Sequence, residues 1–383
     1  MRMYVYVVAF LLVAGSGMAQ RHQLTTIDTE TPEGQLLQQI GLEEDAEGKR
    51  VLLEKFVQEY PGHDAAGWVY TQLQAAYLKA NQPDKVIETG EKLLALDADD
   101  LEAAHNNLKA SEAKQDSDLI RNWAGETSKL ARKAAQAPKP DDEDEADAWK
   151  RSVDYARQVD TYTNYSLYAA AMREADPVKV IALSEALEAQ SPESEYIPQL
   201  RIKHFAALRQ LNETEKAVQF AEKIFETDQS NEDMLLVAAD YYMQSKKEPD
   251  KVFSYSAKII ELMESKPKPE GVSDEEWEKK KKTSTGLAHW MTGVLYANQG
   301  KFAQADKSLR AALPFIDDND QLKAGALFFL GLANFKLGDT PKGDPNRIID
   351  ALKFNQECAA IKSPYQAQAR KNVAAIRSQY RFN

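Results

Sequence analysis

The sequence predicts an all-α fold built from a repeated helix–turn–helix unit, and two observations carry that expectation. Alanine supplies 53 of the 383 residues, or 14%, against 17 Gly and 15 Pro. Ala is the strongest helix former while Gly and Pro are the breakers, so the composition favours long helical runs. Three turn-like segments then recur: Gln82-Pro-Asp-Lys-Val-Ile87, Asp176-Pro-Val-Lys-Val-Ile181 and Glu248-Pro-Asp-Lys-Val-Phe253. Each follows an Ala-rich or aromatic helical stretch and precedes an amphipathic one. Proline fits the first helical turn because its missing N–H would be unpaired there anyway. Each segment is therefore expected to be a short turn that enters a second helix.

The first element is different. Met1-Arg-Met precedes an apolar run from Tyr4 to Ala14, and small residues follow at Gly17 and Ala19. A positive start, a short apolar run and small residues are the layout of a secretory signal, with cleavage expected after Ala19. A retained membrane-anchoring helix is the alternative, but a span needs about 20 apolar residues and this run is shorter. The expected location is periplasmic or extracellular, with no integral span in the mature chain and at most peripheral association with the envelope. The lone Cys358 excludes an internal disulfide framework and a cysteine-clustered zinc site.

The repeats become explicit towards the carboxy terminus. Leu327-Phe-Phe-Leu-Gly-Leu-Ala-Asn-Phe-Lys-Leu-Gly-Asp339 closely resembles the first helix and turn of a tetratricopeptide repeat, a 34-residue helix pair. One repeat earlier, Gly293, Tyr296, Gly300, Ala305, Leu309 and Ala312 occupy that motif's signature positions. Gly293 and Gly331 stand where two helices pack closely, with Tyr296, Ala305, Ala312 and Leu330 as further repeat-packing residues. Weaker copies follow the same period over 67–100, 161–194, 198–231 and 232–266. Residues 101–137 form a degenerate one, with Trp123, Leu130 and Ala131 on its second helix. Leu52 to Pro61 is similar to half of another copy, of the kind found in bacterial envelope tetratricopeptide proteins. The resemblance implies a solenoid of stacked antiparallel helix pairs wound into a right-handed superhelix.

Two stretches interrupt the pattern. Pro138 to Asp147 holds two prolines and six acids and is expected to be a solvated acidic linker. Ser265 to Thr283 carries Lys-Pro-Lys-Pro, then Ser273-Asp-Glu-Glu-Trp-Glu and four lysines. Ser273 with Glu276 spells a capping box, so a salt-bridged surface helix is expected there. The expected organisation is a signal over 1–19 and N-terminal repeats over 20–137. The acidic linker (138–147), central repeats (148–266) and a charged insertion (267–283) come next, and C-terminal repeats with a capping helix fill 284–383.

The chain lacks the linear traces of catalysis. His22, His63, His105, His204 and His289 are far apart, and no nucleophile elbow, phosphate-binding loop or dinucleotide fingerprint occurs. No catalytic residue, metal ligand or cofactor is expected. A net charge of −12 disfavours nucleic acid as a partner.

A helical solenoid works through its concave surface, so a non-enzymatic scaffold or adaptor for protein partners is expected in the cell envelope. By the resemblance, Trp290, Val294, Phe328, Leu332 and Phe335 face that groove in the two clearest repeats. Tyr162, Tyr165, Ala169 and Met172 do so upstream. Core packing is the competing role for the same aromatics. Chaperone adaptors of this family that grip a terminal carboxylate use Lys and Asn at positions 5 and 9 of the first helix. This chain carries Thr71, Tyr165, Ile202, Leu236, Trp290 and Phe328 at position 5, so an apolar or amphipathic partner segment fits better. A cell-wall or carbohydrate ligand stacking on the aromatics is the alternative.

Overall fold

The computed structural model describes residues 22–24 and 26–380. The apolar run and the expected cleavage site lie outside the described residues. Seventeen α-helices and no strands occur among those described. The chain divides between Leu211 and Asn212 into two compact units.

Unit 1 holds α1 (Pro32–Leu42), α2 (Ala46–Glu59), α3 (Ala66–Lys79), α4 (Pro83–Leu96), α5 (Leu101–Lys114), α6 (Ser117–Ala135), α7 (Glu143–Arg173), α8 (Pro177–Gln190) and α9 (Ile197–Gln210). Unit 2 holds α10 (Thr214–Phe225), α11 (Glu232–Ser245), α12 (Pro249–Ser265), α13 (Asp274–Asn298), α14 (Phe302–Ile316), α15 (Asp320–Gly338), α16 (Pro345–Ala360) and α17 (Gln366–Gln379). Within each unit every helix packs on the next. Odd-numbered helices also touch one another, α3 to α5, α5 to α7 and α7 to α9, then α11 to α13 and α13 to α15. Contact restricted to near neighbours is the hallmark of a solenoid.

Local chemistry explains the boundaries. The three recurrent prolines, Pro83, Pro177 and Pro249, each open a helix. Asp45, Asp100, Asp116, Asp176 and Asp344 cap others by accepting backbone N–H bonds in the first turn. This satisfies orphan donors and places negative charge at the positive end of the dipole. The Ser273–Glu276 capping box is formed as its sequence spells.

The pairs are of tetratricopeptide type where the signature is clearest. A Cβ on Gly293 of α13 would lie 2.5 Å from Leu309 Cγ of α14, and one on Gly331 of α15 would lie 2.3 Å from Asn355 Nδ2 of α16. Only a hydrogen side chain permits either approach. Gly300 takes a φ of 73° in the α13–α14 turn, a conformation that other residues resist. Ala305, Leu309, Ala312 and Leu330 are fully buried. Tyr296 is half-buried, its ring centroid 4.5 Å from that of Phe253.

Several expected boundaries fall differently. Helix α7 runs 31 residues and starts at Glu143, inside the 138–147 stretch. Its opening acids suit a helix N-terminus, so only the segment holding Pro138 and Pro140 stays irregular. The lysine-rich part of 267–283 is no separate element but the first turns of α13, where Trp277 is buried. The division into units falls inside the 148–266 stretch.

Candidate protein-binding faces

The residues expected to line a groove divide between the two units, and their environments differ. In unit 2, Val294 of α13 is only 4% exposed and belongs to the core with Leu309 and Leu327. Its side chain is packing material, which corrects its assignment to the groove. Trp290 is half-buried, and its indole N–H is enclosed without a hydrogen-bond partner. Gly325 of α15 lies between Trp290 and Tyr365: a Cβ there would sit 3.3 Å from Trp290 Nε1 and 3.4 Å from the Tyr365 ring. Phe328 stacks on Tyr365, centroids 5.0 Å apart at 28°. Phe335 meets the Tyr380 ring edge-on at 6.5 Å, beside Ile348, Ala351 and Ile376. Leu332 is half-buried. The chain's own carboxy-terminal residues thus cover part of the face that the repeat motif leaves open.

Unit 1 presents the opposite case. Tyr165 and Met172 of α7 are 50% and 40% exposed, and Ile202 of the adjoining α9 is 54% exposed. Tyr162 is held inward, its hydroxyl donating to Glu112 Oε2 at 2.5 Å while Ser166 Oγ donates to Glu112 Oε1 at 2.5 Å. Tyr165 rests edge-on against Tyr196 at 6.1 Å, and Tyr168 stacks on Tyr196 at 4.7 Å. The Tyr168 hydroxyl donates to Gln199 Oε1, and Lys203 Nζ donates to the Met172 carbonyl at 2.6 Å. The pairs Tyr165–Tyr196, Tyr168–Gln199 and Met172–Lys203 each join residues 31 apart in sequence, so α7 and α9 run parallel in fixed register.

Next to this pair, α5 contributes a partly desolvated polar row. His105 is 8% exposed; its Nδ1 lies 3.0 Å from the Tyr155 hydroxyl and its Nε2 is enclosed with no partner. Burial, helped by the charge of Lys109, pushes its pKa down to about 4. Burial also lowers the Lys109 pKa against the pull of Glu102 and Glu112, and raises that of Glu102, with Asp100 adding to it. Glu102 nevertheless reaches solvent.

Sequence reasoning had Tyr162, Tyr165 and Met172 but did not weigh Ile202 as a contact, nor Arg173 and Arg209. The available signal was the absence of any Asp or Glu from residues 161–173 and from the whole of α9, in a chain holding 60 acids. Among the described residues no group of three or more His, Cys, Asp or Glu is placed to hold a metal, and no helix is long and apolar enough to cross a membrane.

No family model and no curated protein matches the sequence. Among solved structures, the chain is similar to the TPR domain of P58(IPK) at 14% identity and a TM-score of 0.25, covering 91% of this chain and 98% of that one. It is also similar to yeast Tom70 at 12% identity and 0.24, covering 92% and 89%. The Cut9-Hcn1 hetero-tetramer of APC/C matches at 11% and 0.23, covering 92% and 84%. Values this low assign neither family nor role.

Proposed function

We propose that this protein is a non-enzymatic scaffold of the cell envelope that binds protein partners along the exposed faces of its odd-numbered helices. The observation that carries this reading is the α7–α9 face. Tyr165, Met172 and Ile202 are large apolar groups held in the open on helices locked to each other by side-chain bonds. Large apolar side chains grouped on a rigid surface are a usual mark of an interaction site, and pre-ordered anchors lower the entropy cost of association. Export follows from the Tyr4–Ala14 apolar run and the small residues before Gln20.

The test is a crosslinking pull-down with residues 20–383 from an envelope extract of the native host, read by mass spectrometry. Fractionation and amino-terminal sequencing of the native protein accompany it. The expected result is one reproducible stoichiometric protein partner, with the native chain starting at Gln20 in the envelope fraction. Purified glycan bound with no protein captured refutes the scaffold reading in favour of the carbohydrate one. A native chain that keeps Met1 and remains in the cytosolic fraction refutes export.

A further inference from the structure

Resting on the scaffold reading, the geometry points to the α7–α9 face of unit 1 as the docking surface, and to an acidic segment with apolar anchors as what docks there. Exposed large apolar side chains elsewhere stand one to a helix: Leu42 on α1, Val51 on α2, Leu96 on α4, Val178 on α8, Phe315 on α14 and Ile349 on α16. Among the described residues only α7 carries two, and the helix packed parallel to it carries a third.

The shape comes from two rows. Tyr165, Ala169 and Met172 lie on one face of α7 at helical spacing, and Ile202, Ala206 and Arg209 repeat that spacing on α9. In the register fixed by the α7–α9 contacts Ala169 stands level with Leu200, and Ala206 lies beyond the end of α7, so the two rows are staggered along the face. Tyr165 and Met172 are seven residues apart, about 10 Å along the axis. That spacing matches two anchors of an amphipathic helix laid along the face.

The charge names the occupant. The overall balance is −12, yet residues 161–173 and α9 hold no acid and carry Arg173, Arg201, Lys203 and Arg209. Arg201 pairs with Glu188, and Lys203 is bound to the Met172 carbonyl. Arg173 and Arg209 are exposed and make no ion pair among the described residues. The nearby carboxylates are engaged: Glu112 accepts from Tyr162 and Ser166, Glu174 from Ser117, and Asp160 from Ser128 and Arg132. Glu195 adjoins Tyr196 at the far end of the face. Unpaired arginines beside exposed apolar groups complement a segment that alternates acids with apolar residues.

The experiment uses residues 20–383 and two labelled synthetic peptides that share the same apolar residues at helical spacing. One carries glutamates between them and the other lysines, and binding is read by fluorescence anisotropy. The expected result is that the glutamate peptide binds and the lysine peptide does not. Arg173→Glu/Arg209→Glu, which alters only exposed side chains, should weaken binding by about tenfold or more. Equal binding of both peptides, binding unchanged in the double variant, or no binding of either overturns the proposal. Preferential binding to phosphatidylglycerol vesicles overturns it in favour of a lipid surface. A partner captured undiminished by Arg173→Glu/Arg209→Glu and by Ile202→Asp removes this face and leaves the scaffold reading standing. Absence of both peptide binding and any captured partner in the parent protein removes both.

Discussion

Replacing Gly293 with alanine tests the closest helix–helix approach in unit 2. Two effects oppose each other. Alanine in a helix interior is favoured over glycine by about 1 kcal/mol. The new methyl would however lie 2.5 Å from Leu309 Cγ, 2.8 Å from its Cδ2 and 3.1 Å from its backbone nitrogen. Carbon atoms pack at about 3.5–4.0 Å, so the side chain would have to move by about 1 Å. Rotating Leu309 does not remove the backbone contact, so α14 itself must shift. Overpacking of this kind costs about 1–3 kcal/mol, and the net expectation is a loss of up to about 2 kcal/mol in unit 2.

Gly125 of α6 provides the control, because a Cβ there would meet nothing within 4 Å. Gly125→Ala should stabilise by about 0.5–1 kcal/mol. The assay is urea unfolding followed by circular dichroism, read as the displaced midpoint at unchanged slope. A Gly293→Ala protein stabilised as much as Gly125→Ala would refute the close approach. Destabilisation of equal size in Gly125→Ala would refute the assignment of the loss to packing.

Two further predictions follow from buried groups. His105 is neutral in the folded state with a pKa near 4, below its ordinary 6.5. Unfolded chains therefore bind the extra proton first, and stability falls as pH drops from 6.5 towards 4, by up to about 3 kcal/mol. His204 and His289 shift the same way, so the contribution of His105 is read as the pH slope lost in His105→Gln, measured by urea titration at each pH. Cys358 is fully buried, its Sγ donates to the Ala324 carbonyl, and burial pushes its pKa up to about 11. It should resist iodoacetamide in native buffer and react at the rate of unit 2 unfolding in urea; rapid native alkylation would refute its burial.

What could be read from the sequence was whatever is local. Pro83, Pro177 and Pro249 mark helix starts because proline chemistry acts within one turn, and the structure opens α4, α8 and α12 there. Gly293 and Gly331 mark close approaches because only their missing side chains allow them. The resemblance to the repeat motif put Tyr165 and Met172 on the groove side of their helix, and both side chains are exposed. The cover over Phe328 and Phe335 was not legible, since it comes from Tyr365 and Tyr380, distant in sequence and outside the repeat period. Val294 was misread for a related reason. A motif position says which way a side chain starts, while burial depends on whether a neighbouring helix closes over it, as Leu309 and Leu327 do here. The early start of α7 was hidden because clustered acids suit a solvated linker and a helix N-terminus equally well.

The distribution of charge gives the α7–α9 face a selectivity that apolar exposure alone would lack. Attraction between exposed charges fades over about 8 Å at physiological ionic strength. Arg173 and Arg209 can therefore act on a segment already settling over Tyr165, Met172 and Ile202, but not on a distant one. At longer range a passing acidic protein meets a chain of net charge −12. Like charge then works against loose, non-specific encounters, and only a segment that places its acids against these arginines and its apolar residues against Tyr165, Met172 and Ile202 recovers the cost. A purely apolar face would accept many partners weakly, and a purely basic one would accept polyanions. The combination narrows the choice without any polar residue having to read sequence.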